Sequence, residues 1–539
     1  MTDTITSPPP AAQAEDRAMN GARSAVETLA ATGVEVCFAN PGTSEMHFVS
    51  ALDPGSGIRP VLCLFEGVAT GAADGYARMK GKPASTLLHL GPGLANGLAN
   101  LHNARKAQSP VVNIVGDHAL THQRFETPLT SDIQALARPV SHWVHSARSA
   151  TTVAADVARA VQAACTHPGQ IASLILPADT AWSPATGAAA PLPVPPAPAV
   201  GEQVLTRTAD LLRSGRRIAF LLRGDALHGP GLQAAGRIAA ATGARLISDT
   251  FTPRIQRGAG RVPVTRLPYR ADDATLVLAR FEILITVGTA APVAFFAYPG
   301  KASELTPDIC RPMVLAHPHE DGAEALITLA DLIDAPPART PHRAWSAPTA
   351  PAGGDLTALN TFQVLAHLLP EGAIVSDESV TAGFAGHSVL VDAAPHDHLN
   401  LTGGAIGQGM PLATGAALAC PDRKVISLQG DGSAMYTPQA LWTQARENLD
   451  VTTVIFANHS YRVLNQELTL LGANAPGPES AGLLELDRPR LDWVSTAQGM
   501  GVEATRVRTT SDLAGALRSA FHHRGPRLIE AAISAPPAP

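Results

Sequence analysis

Short apolar runs rich in β-branched residues alternate along this chain with longer, alanine-rich segments of helical periodicity. In the first third the runs fall at 34–39, 59–65, 84–90, 110–116 and 171–177. In the middle they fall at 216–224, 244–250 and 282–289, and in the last third at 373–378, 423–430, 451–458 and 526–533. Because the runs lack polar alternation, they predict strands buried on both faces, hence parallel sheets covered by helices. The expected fold class is α/β, with three consecutive doubly wound parallel-sheet domains. Ligands of such sheets bind beyond the carboxyl ends of the strands, so the chemistry is sought at strand exits.

Two proline-rich stretches, 183–200 and 336–354, interrupt the pattern and are expected to be extended linkers. They leave domains at 20–182, 201–335 and 355–535, preceded by a mobile tail over residues 1–19. A chain of 539 residues exceeds what one hydrophobic core serves. A net charge of -6 without a basic stripe excludes the nucleic-acid binders. The five cysteines form no C-x-x-C pair, which suits a reducing cytoplasm and offers no structural zinc site. The most apolar stretch, 275–298, is broken by Arg280 and Glu282, so no membrane span is expected. The first residues carry no apolar leader.

One strand exit stands out. The run 423–430 enters Gly430-Asp431-Gly432-Ser433, and a helix is predicted from about Pro438 to Glu447. Glycines at 430 and 432 let an anion approach the backbone N–H groups, and Asp431 is placed to hold a hard cation that neutralises it. Gly and Asp are equally the residues of an ordinary turn. The next strand, however, ends in Asn458, 27 residues after Asp431. One crossover helix and one strand fit that interval, which brings Asn458 beside Asp431.

GDGS followed by Asn458-His459-Ser460 resembles the thiamine-diphosphate motif shared by acetohydroxyacid (acetolactate) synthases, pyruvate oxidases and benzoylformate decarboxylases. The resemblance extends, in family order, over Asn40-Pro41-Gly42-Thr43-Ser44-Glu45, Phe65-Glu66-Gly67, the GPG at 91–93 and TGGAIGQGMP at 402–411. It implies thiamine diphosphate and Mg²⁺ as cofactors, with Asp431, Asn458 and the Ser460 carbonyl as metal ligands. Gly430, Gly432, Ser433 and Tyr436 would contact the diphosphate. The Gly404 carbonyl would take the pyrimidine 4′-amino group, and Ile406 would be the apolar wedge beneath the bent cofactor. Glu66 would hold the proton at pyrimidine N1′. Since the family's two cofactor-binding domains come from different subunits, the resemblance also implies a homodimer with interfacial active sites, assembled into a homotetramer.

On the substrate side, His89 matches a proton-transferring histidine of the benzoylformate decarboxylases, and imidazole suits that task near neutral pH. A second histidine of those enzymes is missing near Ala297. Thr43 matches a residue contacting substrate carboxylate, though it is also a turn residue. Asp117 and His118 follow a strand where relatives carry glutamine, as a proton-handling pair or a solvated loop. Glu467 stands where an aryl-binding decarboxylase has an aromatic. The resemblance implies decarboxylation of a 2-oxo acid followed by protonation or carboligation, worded most like acetolactate synthase large subunits. The alternative is an aldehyde-releasing decarboxylase of the benzoylformate type. FAD is not expected, because the middle domain shows no strong dinucleotide signature. A non-catalytic subunit would require the loss of Glu66 or Asp431, and both are present.

Overall fold

The computed structural model describes residues 19–534, apart from 54, 338–341, 345–347, 352 and 474–475. The expected tail over 1–19 therefore lies, but for Met19, outside the described residues, as does part of the expected linker 336–354. The stretch 185–200 runs without helix or strand.

Three sheets form. The first contains β1 (Val36–Asn40), β2 (Arg59–Leu62), β3 (Ala84–Leu88), β4 (Val111–Asp117), β5 (Trp143–Ser146) and β6 (Ile171–Pro177), in the order β2-β1-β3-β4-β6-β5. The second contains β7 (Ile218–Leu222), β8 (Arg245–Ser248), β10 (Thr265–Arg266), β11 (Ile283–Val287) and β12 (Arg311–Ala316), in the order β10-β8-β7-β11-β12. The third contains β13 (Ala373–Glu378), β14 (His396–Asn400), β15 (Val425–Gly430), β16 (Val451–Ala457), β17 (Glu503–Val507) and β18 (Arg527–Ala532), ordered β17-β18-β16-β15-β13-β14. Every pairing among these strands is parallel, as unbroken apolar runs require.

One strand departs from consecutive order. β9 (Ile255–Arg257) leaves the middle segment and adds antiparallel to β14 at the edge of the third sheet. The strand expected over 59–65 ends at Leu62, although the Cys63 N–H still bonds the Ala39 carbonyl. The strand expected to reach residue 90 stops at Leu88. At the GDGS exit a helical turn, Asp431–Ala434, begins at Asp431 itself, ahead of the expected helix, which runs Gln439–Arg446.

The first and third sheets are joined by two helices, Glu66–Lys80 and Gly409–Ala419, whose backbones meet with almost nothing between them. A Cβ on Gly75 would overlap the Leu412 carbonyl oxygen, and one on Gly415 would overlap that of Ala72. Polar groups pin the same contact. Buried Asp74 pairs with Arg78 and accepts hydrogen bonds from Ser109 Oγ and Gln408 Nε2, while Arg78 reaches the Asn400 carbonyl and Thr402 Oγ1. A buried charge pair holds only when its remaining donors and acceptors are satisfied, and here they bind the two sheets together.

Two glycine substitutions separate packing from propensity. Alanine in a helix gains about 1 kcal/mol over glycine, but overpacking costs about 1–3 kcal/mol, and a clash with backbone cannot be relieved by a rotamer change. Gly415→Ala should therefore lower stability by about 2 kcal/mol. Gly515→Ala, in the helix Thr510–His522 with nothing within 4 Å of the added carbon, should raise it by up to about 1 kcal/mol. Denaturant unfolding of both variants checks the opposite signs.

Candidate active site

Glu66 opens its helix because β2 has ended and Phe65 is extended, which places the carboxylate in the first turn, where the helix dipole favours it. The side chain is buried. Its Oε2 accepts a hydrogen bond from Asn96 Nδ2 at 2.9 Å, and Oε1 has no hydrogen-bond partner among the described residues. Gly93 stands beside that free oxygen: a Cβ there would lie 3.3 Å from Oε1. Thus the GPG run supplies the room that leaves one carboxylate oxygen open.

His89 sits at the carboxyl end of β3, as the N-cap of the helix Leu90–Ala107. Its Nδ1 lies 2.8 Å from Oε2 of buried Glu45 and its Nε2 has no partner among the described residues. Glu45 in turn accepts from the Gly42 N–H and Ser44 Oγ, each at 2.8 Å. With Nδ1–H donated to the carboxylate, Nε2 becomes the atom free to accept or deliver a proton. The ring fills the space beside Gly42, where any Cβ would overlap it. Leu90 follows at φ +50, a strained conformation for a leucine that turns the chain sharply after the histidine. Thr43, itself exposed, opens the turn Thr43–Glu45 beside this pair.

At the third sheet, Asp431 and Asn458 emerge from adjacent strands, since β15 pairs with β16. Asp431 is buried. Its Oδ2 accepts the N–H groups of Asn458 (2.9 Å) and His459 (2.6 Å), and Oδ1 accepts that of Gly432. Burial pushes its carboxyl above the usual aspartate range, and those N–H donors pull it part of the way back. Asn458 Oδ1 accepts from the Ser460 N–H at 2.9 Å, and His459 takes φ +55 so that the chain folds back over the carboxylate. A Cβ on Gly432 would lie 2.5 Å from the Tyr461 ring. A carboxylate, an amide oxygen and main-chain oxygens in one tight loop form a hard donor set that suits Mg²⁺. No cluster of three or more His, Cys, Asp or Glu that would suit a softer metal occurs among the described residues.

The loop 402–408 is gripped from both sides. Gly404 and Gly407 adopt φ +79 and +95, so the loop requires glycine there. Asn100 Nδ2 donates to the Gly407 carbonyl, Asn103 Nδ2 to that of Ala405, and His102 Nε2 lies 3.0 Å from that of Gly403. These donors come from the helix that starts at His89 and carries Asn96, so a single helix aligns Glu66, His89 and the glycine loop. On the other side, buried Glu378, at the end of β13, accepts the N–H groups of Gly407 and Gly409. Burial pushes Glu378 up to about 7 despite those donors. Ser433 Oγ donates to the Gly430 carbonyl, Ile406 is half-buried, Tyr436 is exposed, and Phe295 lies 2.8 Å from where a Cβ on Gly404 would be.

The remaining candidates sit apart. Asp117 Oδ1 accepts from the His118 N–H and Oδ2 from Gln123, in a separate cavity of about 230 Å³ that also holds Arg148. Burial pushes the Asp117 carboxyl up. Glu467, half-buried in the helix Arg462–Leu470, accepts from the hydroxyls of Tyr298 (3.1 Å) and Tyr269 (3.4 Å). Within one chain, no hydrogen bond or ion pair among the described residues joins Glu66 or His89 to Asp431, Asn458 or Ser460. Sequence reasoning passed over Glu45, Asn96, Glu378 and the two tyrosines. Only Glu45 carried a signal, inside the NPGTSE run.

Comparisons with known proteins bear on the family and the fold. Residues 19–137 match the N-terminal, and residues 383–531 the C-terminal, TPP binding domain of thiamine pyrophosphate enzymes. The chain is 52% identical over 516 residues to a Mycobacterium tuberculosis protein provisionally named acetolactate synthase large subunit IlvX, covering 96% of this chain and 99% of that one. It is 31% identical to a benzoylformate decarboxylase of Pseudomonas aeruginosa, over 94% and 97% of the two chains. Its fold is that of the 4-hydroxybenzoylformate decarboxylase of Rhodococcus jostii RHA1, with a TM-score of 0.85 at 24% identity, over 96% of this chain and all of the other. The chain therefore belongs to the thiamine pyrophosphate enzyme family and is a thiamine-diphosphate-dependent enzyme.

Proposed function

We propose that the chain binds thiamine diphosphate through Mg²⁺ and decarboxylates a 2-oxo acid, followed by protonation or by ligation to a second carbonyl. The observation that carries this reading is the oxygen set of Asp431, Asn458 and Ser460 gathered where β15 and β16 end. Asp431, the Asn458 amide oxygen and the Ser460 carbonyl would hold the metal. Gly430, Gly432, Ser433 and Tyr436 would face the diphosphate, and Gly404 and Ile406 the pyrimidine. When bound, the cofactor supplies a carbon nucleophile and an electron sink next to a carbonyl.

The chain's own groups do the rest. Glu66, held through Oε2 by Asn96, offers its free Oε1 to the proton at pyrimidine N1′. His89, oriented by Glu45, handles the substrate-side proton at Nε2. Thr43 faces the substrate's carboxylate end, and Asp117 and His118 form an outer proton-handling pair. Glu467 and its two tyrosines line the far side with polar groups, which disfavours an aryl substrate. Acetolactate synthase-type ligation is the preferred outcome, supported by the 52% identical relative. The second reading, release of an aldehyde as in the benzoylformate decarboxylases, is supported by His89.

Since Glu66 and Asp431 make no contact within one chain, we assign each site to two copies of the chain, with Glu66 from one and the metal loop from the other. The assembly expected is a homodimer or a pair of dimers.

Four measurements test this. Glu66→Gln should lower kcat by about 10²–10⁴-fold with thiamine diphosphate still bound; an unchanged rate removes Glu66 from the mechanism. Asp431→Ala should lose Mg²⁺-dependent cofactor retention on gel filtration. Co-expressing the two variants should restore about a quarter of wild-type activity, because half the dimers then hold one intact site; a single-chain site would stay inactive. His89→Ala and Glu45→Gln should both slow product formation from a 2-oxo acid panel, followed by carbon dioxide release and mass spectrometry, while leaving cofactor affinity within about 2-fold. If only His89→Ala is slow, Glu45 does not orient the ring.

A further inference from the structure

A second cavity, of about 420 Å³, opens between the segment 257–269 and the helix Gly383–Val389; its lining includes neither the Asp431 loop nor His89, and Tyr269 is shared with the Glu467 cluster. Its polar lining is cationic. Arg257, Arg266 and Arg343 face it, with His387, while Tyr269 and Phe384 form an aromatic wall, their rings stacked at 5.4 Å. Arg343 is paired with Asp392. The other two guanidinium groups have no carboxylate within ion-pairing distance among the described residues. Buried Arg257 bonds the His387 ring and carbonyl, and Arg266 Nε bonds the Thr250 carbonyl.

The carboxylates nearby have direct partners of their own, although Asp377, Asp249 and Asp392 still act on the two guanidinium groups at longer range. Asp377 takes both the N–H and the hydroxyl of Ser379 and lies 3.3 Å from His398 Nε2; Asp249 is bound by Arg223, and Asp392 by Arg343. Burial, with the neighbouring arginines, pushes His387, His396 and His398 below the usual imidazole range, which disfavours further positive charge around Arg257. Burial and the neighbouring Arg266 lower Arg257 to about 9, and burial lowers Arg266 as well. Neither guanidinium is directly ion-paired, the charges of Asp377, Asp249 and Asp392 reach them only at longer range, and an oxyanion in the open space of the cavity would supply a direct partner.

We propose that this cavity is a binding site for a small oxyanion, a phosphate or a carboxylate, seated on Arg257 and Arg266 with its remainder against Tyr269 and Phe384. The planar, multi-donor fork of arginine suits both groups. The site is coupled to the cofactor region through two direct connections. Phe384 lies on the helix that follows β13, whose last residue, Glu378, holds the glycine loop, and Tyr269 donates to Glu467. An occupant would therefore also modulate turnover.

The test is a calorimetric titration of the full chain, loaded with thiamine diphosphate and Mg²⁺, with inorganic phosphate and separately with acetate, at constant ionic strength in chloride. Loading fills the diphosphate subsite, and the two arms separate phosphate from carboxylate recognition. Saturable binding of at least one probe is expected, weakened about 10-fold or more by Arg266→Gln, less by Arg266→Lys, and not at all by Arg216→Gln on the exposed surface. Should Arg266→Gln fail to fold, Phe384→Trp places a reporter at the cavity wall, and its fluorescence should change along the same binding curve. Absence of saturable binding by both probes, an unchanged affinity in Arg266→Gln, or a silent tryptophan at 384 would each overturn the proposal.

Discussion

The structure depends on one contact: the backbones of the helices Glu66–Lys80 and Gly409–Ala419 touch directly. Each begins at a chemically active strand exit, the first at Glu66 and the second at the glycine loop 403–407. Because Gly75 and Gly415 remove every side chain that would separate them, the distance between these helix starts is set by backbone, which cannot change by rotamer hopping. The buried Asp74–Arg78 pair and the amides of Asn100 and Asn103 then fix the rotation and register of the same contact. On the two-copy assignment, this frame fixes the spacing between the two half-sites that one chain contributes to different cofactors.

Against that frame, the reactive side chains are oriented by neighbours that do no chemistry themselves. Asn96 occupies one oxygen of Glu66 and leaves the other open. Glu45 occupies one nitrogen of His89 and leaves the other open. Three backbone N–H groups fix the Asp431 carboxylate beside Asn458. For Glu66 and His89 a directional hydrogen bond, itself worth of order 1 kcal/mol to stability, selects which atom stays open.

The sequence made the apolar strands legible, because a strand buried on both faces has no other way to be written. The adjacency of Asp431 and Asn458 was legible for a related reason: one crossover helix and one strand fit the 27 residues between them. What stayed hidden was polar. β14 reads His396-Asp397-His398, which carries no strand signal, yet it is buried because Arg254 and Arg423 neutralise Asp397 and the histidines pack against Arg257. β9 stayed hidden because three residues in a proline- and arginine-rich loop do not announce a partner some 140 residues away. Glu378 was indistinguishable from a surface acid, since the backbone N–H groups it holds belong to a loop that only the fold brings near.

β9 bears directly on how the domains communicate. By lending a strand to the third sheet, the middle segment cannot move as a rigid unit without breaking the ladder between Ile255–Arg257 and His396–His398. The loop that carries β9 continues through Arg266 and Tyr269, and Tyr269 ends on Glu467 in the helix that follows the metal loop. A displacement at the middle domain is therefore transmitted by covalent and hydrogen-bonded steps to the helix Arg462–Leu470, and by the Phe295 ring to the loop at Gly404. The middle segment is thereby tied mechanically to the third sheet through β9 and, through Tyr269 and Tyr298, to the helix Arg462–Leu470.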